Sequence, residues 1–176
     1  MSVFSVRGFY TDEVLSGGRR VGFDIVTVPD GRRGPLARKG ATGPKVGQYG
    51  VDVASFERLA LPTLGDDDDD DDTIYVLDEI GRMELKSEAF ATRVEELLAR
   101  GVRLVGAITA PIYGHRVAFC DRVSATRGVA VHKLTKSTRD GVTAELKESL
   151  VRWDRFADQR FGESEEDEDG NVTFPA

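Results

Sequence analysis

Hydrophobic and polar positions along this 176-residue chain fall into short segments that switch between strand and helix spacing. Residues 7–14 (RGFYTDEV) and 20–28 (RVGFDIVTV) read as strands, and Gly17 and Gly18 between them supply a tight turn, so a β-hairpin is expected. The run 29–43 is rich in Gly, Pro and Arg and predicts a loop carrying mobile cations, among them Arg32, Arg33, Arg38 and Lys39. A short strand is expected over 46–51. Asp52 then caps a helix to about Leu61, with Val53, Phe56 and Ala60 on one face before Pro62 ends it.

The second half repeats the alternation. Ile74 to Leu77 is a continuous apolar run of the kind a strand covered on both faces requires. A covering helix follows from Ser87 to Gly101, with Phe90, Val94, Leu97 and Leu98 at helical spacing. Residues 102–109 predict a second buried strand, 110–116 a loop, 117–126 a short amphipathic helix, and 129–134 (VAVHKL) a further strand in which His132 is structural. The last helix is expected over 141–161, with Val142, Leu146, Leu150, Trp153 and Phe156 in one stripe. Strands alternating with helices imply an α/β fold with a mostly parallel sheet and the early hairpin as an antiparallel addition.

Charge changes this picture in one respect. The formal net charge is −7, yet seven acids stand in the Asp66–Asp72 run and six more lie between Glu163 and Asp169. Outside those patches 18 acids face 24 bases, so the body of the chain is basic. That suits a polyphosphate ligand; it would suit RNA too, though nucleic acid is the lesser expectation. Residues 1–161 are expected to form one domain carrying an acidic insert at 65–72, with 162–176 as a disordered acidic tail, because an uninterrupted acid run repels itself and buries nothing apolar. No apolar run approaches the length of a membrane span, and the N-terminus lacks the pattern of a secretory signal, so a cytoplasmic protein is expected. The single Cys120 predicts a core thiol, and the two histidines lack zinc-ligand spacing. The oligomeric state is not legible.

The candidate chemistry lies where the apolar run meets two carboxylates, in IYVLDEIGRMEL (74–85). In open α/β sheets the ligand crevice lies past the carboxyl ends of the strands. In nucleotide hydrolases the first acid at such a place, here Asp78, helps hold Mg²⁺, and a neighbouring acid, here Glu79, orients the attacking water. The competing reading is that both merely end a strand and begin a turn. Glu84 and the Arg-rich loop are the next candidates should Glu79 prove dispensable.

Several blocks in order, GFYTDEV, GGRRVGFDIVTV, RGPLAR, VGQYGVDVASFERLALP, VLDEIGRMEL and VHKLTKSTRD, resemble the cancer-related nucleoside-triphosphatase family of P-loop proteins from Arg7 to about Asp140. The resemblance implies a P-loop NTPase-like α/β fold that hydrolyses ATP, GTP and other nucleoside triphosphates to the diphosphate with Mg²⁺. By motif match it gives Asp78 the Mg²⁺-linked role of the Walker B acid and Glu79 the water-orienting role. Thr135, Lys136 and Arg139 match the family's TKxNR segment, a loop placed to meet the base, with Thr138 standing where the family has Asn.

The family also begins with a strand, a GxxxxGK[ST] loop and a helix ahead of the segment matching Gly8. Only Met1 to Arg7 precede that point here, and no GK[ST] occurs in the sequence. The nearest stretch, GATGPKVG (40–47), has no Ser or Thr after Lys45 and leads toward a strand. The first strand, P-loop and helix are therefore expected to be absent from this chain, as in an incomplete gene model. The alternatives are a catalytically dead P-loop relative acting as a protein- or RNA-interaction module and, more weakly, a small-molecule kinase. The 176-residue chain is expected to release phosphate from ATP and GTP no faster than buffer, because each lost phosphate-binding donor costs on the order of 10²-fold or more. Mg²⁺-dependent phosphate release by the purified chain would overturn that expectation.

Overall fold

The computed structural model describes residues 4–65, 73–110 and 116–156. The chain divides into two compact units, one up to Val131 and one from His132 onward. The acidic run 66–72 and the tail 162–176 lie outside the described residues.

The first unit is a seven-stranded mixed sheet with helices, in the order β4-β5-β3-β2-β1-β6-β7. β1 (Ser5–Ser16) and β2 (Arg19–Val28) form the expected hairpin, with Gly17 and Gly18 at φ +56° and +73° in the left-handed region that glycine adopts freely. β1 also pairs in parallel with β6 (Thr73–Ile80), and β6 in parallel with β7 (Arg103–Ile108). Gly8 makes the β1–β6 approach possible, because a β-carbon there would run into the Val76 carbonyl.

The antiparallel addition is larger than a hairpin. The stretch expected as a loop with mobile cations contains β3 (Arg33–Lys39), which pairs with β2. Its arginines are paired with carboxylates of the neighbouring strands. Buried Asp24 on β2 pairs with Arg38 and, at 3.2 Å, with Arg33, which also pairs with Asp12 of β1. Arg38 further donates to the Phe23 and Ala37 carbonyls at 2.6 and 3.0 Å. Ion pairs across three strands thus recruit a Gly- and Arg-rich sequence into the sheet. The single strand expected over 46–51 is split by Gly47, at φ +57°, into β4 (Lys45–Val46) and β5 (Tyr49–Val51).

The helices start and stop where their caps dictate. α1 (Val53–Ala60) opens on Asp52, whose carboxylate accepts from the Ser55 amide at 2.9 Å. It runs on into a 3-10 turn, Leu61–Leu64, that takes Pro62 into its first turn. α2 (Glu88–Arg100) opens on Ser87, whose hydroxyl accepts from the Phe90 amide at 3.0 Å, and closes on Gly101 in the left-handed conformation. α3 spans Ala118–Ala125. The core joins these layers through Phe9 of β1, Phe56 of α1 and Phe90 of α2, all fully buried and edge-on to one another with ring centroids 5.1–5.6 Å apart. Such pairs contribute about 0.5–1.5 kcal/mol each beyond the apolar area they bury.

In the second unit α4 spans Arg139–Phe156, beginning slightly before its expected start. Val142, Leu146 and Leu150 of its stripe are half-buried. The strand expected over 129–134 is not formed. Val131 and Leu134 are exposed, and Thr138 Oγ1 donates to the Lys133 carbonyl at 3.0 Å, so the segment enters a turn rather than a ladder. His132 is half-buried, with Nδ1 3.6 Å from the Glu145 carboxylate. No helix among the described residues is long and apolar enough to cross a membrane.

The two carboxylates that meet Arg33 differ in burial, and this sets an expectation for stability. Asp24→Ala strips Arg38 of its buried partner and is expected to cost about 1–3 kcal/mol. Asp12→Ala removes an exposed pair and should stay within about 0.5 kcal/mol. Urea midpoints of the two variants check the contrast, and equal losses would contradict it.

Candidate active site

β6 lies between two parallel neighbours, so its carboxyl end opens into the crevice of the parallel part of the sheet. The ladder to β7 runs from Ile74 to Leu77, breaks, and resumes at Ile80 opposite Ile108. Asp78 and Glu79 occupy the break, joined by a cis peptide. Asp78 is exposed and Glu79 half-buried, and partial burial raises both carboxyls above their ordinary values. For Glu79 burial is the largest cause. A hydrogen bond from Thr109 opposes it and the neighbouring Asp78 charge adds to it. Thr109 stands just past the end of β7 and its hydroxyl donates to Glu79 Oε1 at 3.3 Å.

A tight turn follows. Leu85 N–H donates to the Gly81 carbonyl at 2.9 Å, opening a 3-10 turn over Glu84–Lys86. This folds Glu84 back under the strand end, where it is 2% exposed and its Oε2 has no hydrogen-bond partner among the described atoms. A β-carbon at Gly81 would collide with Glu79 Oε1 and come within 2.9 Å of Glu84 Oε2, so both carboxyl groups lie over the bare face of this glycine. Burial, first, pushes the Glu84 carboxyl up to about 8; the charges of Glu79 and Asp78 push the same way, and the Gly81 and Glu84 amides oppose them. From α3, Cys120 donates its thiol to the Ile80 carbonyl at 3.3 Å, and burial raises that thiol above its ordinary value. It is a core thiol, as expected from the sequence.

Glu79, Glu84 and Thr109 line a cleft of about 300 Å³. Phe23, Leu36, Val46 and Met83 supply its apolar wall, and Thr11 and Arg82 complete the polar rim. One half-buried and one buried carboxyl group thus stand beside an apolar wall, a combination that could hold a polar ligand or water in a fixed orientation. Among the described residues no three His, Cys, Asp or Glu side chains form a metal cage. Asp78, exposed at the strand end, could offer a hard cation a single carboxylate ligand.

Of the residues picked out from the sequence, Asp78 and Glu79 stand together. Thr135, Lys136 and Arg139 belong to the second unit, all exposed, with Arg139 as the first residue of α4. Thr135 Oγ1 accepts from the Thr138 amide at 3.2 Å and Thr138 Oγ1 from the Thr135 amide at 2.9 Å, so the loop is held by its own threonines. Thr109 was not legible in the sequence as a site residue, and Glu84 was only a fallback. The usable signal for Thr109 was its place at the end of the strand next to the acidic one; for Glu84 it was the IGxxE spacing that follows the acids.

A model of the NTPase family matches residues 2–147. The chain is 41% identical over 151 residues to the human cancer-related nucleoside-triphosphatase, covering 80% of this chain and 78% of that one. It is 46% identical over 105 residues to nucleoside-triphosphatase THEP1 of Methanothermobacter thermautotrophicus, or 60% of each chain. Among solved structures, THEP1 from Aquifex aeolicus superposes with a TM-score of 0.70 at 30% identity, covering 82% of this chain and 83% of that one. The solution structure of a human cancer-related nucleoside triphosphatase gives 0.68 at 40% identity, over 82% and 81%. An α/β fold with the DE pair ending a strand between parallel neighbours, together with a family match over most of its length, shows that this chain belongs to the NTPase family.

Proposed function

We propose that the carboxyl end of β6 is the hydrolytic centre of a nucleoside triphosphatase that converts ATP, GTP and other nucleoside triphosphates to the diphosphate and phosphate. The relatives named nucleoside-triphosphatase support hydrolysis of this class of substrate. The observation that carries the reading is the position of Glu79, half-buried at the strand end, lining the cleft and held by Thr109. In this reading the Glu79 carboxylate accepts a hydrogen bond from the attacking water and aims its oxygen at the γ-phosphorus. The new P–O bond forms as the bond to the β–γ bridging oxygen breaks, and that oxygen leaves with the electron pair on the diphosphate. The water proton passes to Glu79 or to the phosphate released.

Asp78 is the residue that would hold Mg²⁺, and the ion, when bound, neutralises charge on the phosphates. The segment Thr135, Lys136 and Arg139 meets the base in this reading, on the strength of the family resemblance alone. The phosphate grip of the family, a GxxxxGK[ST] loop, is not among the 176 residues. The test therefore uses the chain by itself and the chain preceded by a family-type strand, Gly-rich loop and helix.

With that segment in place, phosphate release is expected to appear. Glu79→Gln is expected to leave nucleotide affinity nearly unchanged and to cut turnover by roughly 10²- to 10⁴-fold, the usual effect of losing a positioned acid or base. Asp78→Asn is expected to shift the Mg²⁺ requirement upward. Steady-state phosphate release across a Mg²⁺ titration, with affinity measured separately, decides between this and two solvated strand-end acids; turnover within about threefold for Glu79→Gln would remove the water-orienting role.

A further inference from the structure

The cleft contains one group that the proposed chemistry leaves unused. Glu84 is 2% exposed, lines the same cleft as Glu79, and keeps a carboxyl oxygen without a hydrogen-bond partner among the described atoms. A buried, unsatisfied polar atom costs about 1–3 kcal/mol, so folds do not retain one without compensation. That oxygen and Glu79 Oε1 lie over Gly81, where any side chain would displace them. The turn that delivers Glu84 is fixed from both sides. Its first hydrogen bond runs from Leu85 to Gly81, and at its end the Ser87 hydroxyl donates to Glu57 of α1 at 2.7 Å while capping α2.

We propose that Glu84 is a positioning residue for the hydrolytic carboxylate: its buried carboxyl group, folded over Gly81 against Glu79, acts with the Thr109 hydroxyl to fix the orientation in which Glu79 meets water. This rests on the reading of Glu79 given above. A carboxylate at the end of a strand has two rotatable bonds beyond its β-carbon, and Thr109 alone engages only Oε1, at 3.3 Å. A neutral carboxyl supplies one O–H donor, which suits a neighbouring carboxylate oxygen and supplies the partner that Oε2 lacks. Burial keeps Glu84 protonated up to about pH 8, so it is the neutral form that faces Glu79 at neutral pH. Above that pH a second negative charge would stand beside Glu79 and the arrangement would be lost. The other titratable groups around the turn are Asp78 on β6, Arg82 ahead of it, the exposed Lys86 at its end, Glu57 of α1 beyond Ser87, Glu88 at the start of α2 and Cys120 of α3 beside Ile80.

The test compares Glu84→Gln, which keeps a neutral donor of the same shape, with Glu84→Met, which keeps the bulk and loses the donor. In the phosphate-release assay above, Glu84→Gln should retain kcat within about threefold. Glu84→Met should lose roughly 10- to 100-fold in kcat with KM little changed, the scale expected when a reacting group is misplaced. Wild-type turnover should fall as pH rises through about 8, and Glu84→Gln should not share that fall. A purely structural role predicts instead equal turnover for both variants, with only their unfolding midpoints differing, and that result would overturn the proposal. So would a loss in Glu84→Gln as large as in Glu84→Met.

A second readout does not need turnover. With ¹³C-labelled glutamate, the Glu79 carboxyl signal, assigned by its disappearance in Glu79→Gln, should keep its shift in Glu84→Gln and move or broaden in Glu84→Met at pH 7. If the otherwise unaltered chain preceded by the family-type segment releases no phosphate, the hydrolytic reading fails while this signal still decides the pairing. A Glu79 signal indifferent to Glu84→Met in a folded protein rejects it.

Discussion

Three phenylalanine rings hold the first unit together. Phe9 projects from β1, Phe56 from α1 and Phe90 from α2, and their mutual edge-on contacts tie the sheet to both helices at one place. Because aromatic rings prefer this arrangement over face-to-face stacking, the contact fixes angles as well as distances. The position of α2 matters most for the site. Phe90 is buried three residues after Ser87, which ties the turn leading into α2 to the core. The Ser87–Glu57 hydrogen bond ties the same turn to α1. The carboxyl group of Glu84 is thus held under the strand end by packing that lies wholly outside the cleft.

That packing sustains an otherwise unfavourable arrangement. Three carboxyl groups, Asp78, Glu79 and Glu84, gather at the strand end, the first exposed, the second half-buried and the third buried, and each is raised above its ordinary value chiefly by lost contact with water. Keeping such groups out of water weakens the fold at neutral pH, and functional sites are where folds accept this cost. The bare glycine at position 81 removes the steric obstacle to the gathering, and the ladder at the acids is broken on the β7 side alone, Asp78 staying in register with Tyr10 of β1.

Charge works differently among β1, β2 and β3. The excess of basic residues outside the acidic runs invites the idea of a diffuse cationic surface waiting for phosphate. Yet Arg33 and Arg38 are spent on Asp12 and Asp24, where they knit β1, β2 and β3. Arg32 pairs with Asp30 at 2.6 Å and Arg20 with Glu13 at 2.7 Å. Much of the positive charge in this part of the chain therefore serves sheet assembly, and net charge overstates what is left for a ligand.

The sequence by itself determined those features whose cause lies within a few residues. Asp52 and Ser87 mark helix starts because each side chain bonds an amide three positions on, and Gly101 marks a helix end because it takes the left-handed conformation without a side chain in the way. The apolar run ahead of Asp78 and Glu79 marked a buried strand ending in acids, since periodicity reports burial directly. What only the tertiary structure decided depends on partners far along the chain. Residues 33–39 are a strand because Asp24, nine or more positions earlier, takes their arginines, and no local propensity in a Gly- and Arg-rich run says so. VAVHKL has the alternation of a strand and is not one, because alternation supplies no neighbour to complete a ladder. Thr109 bonds Glu79 across 30 residues, and Glu84, five residues after Glu79, shares with it the bare face of Gly81. Their roles follow from strand order and from one tight turn, which the pattern of apolar and polar residues does not encode.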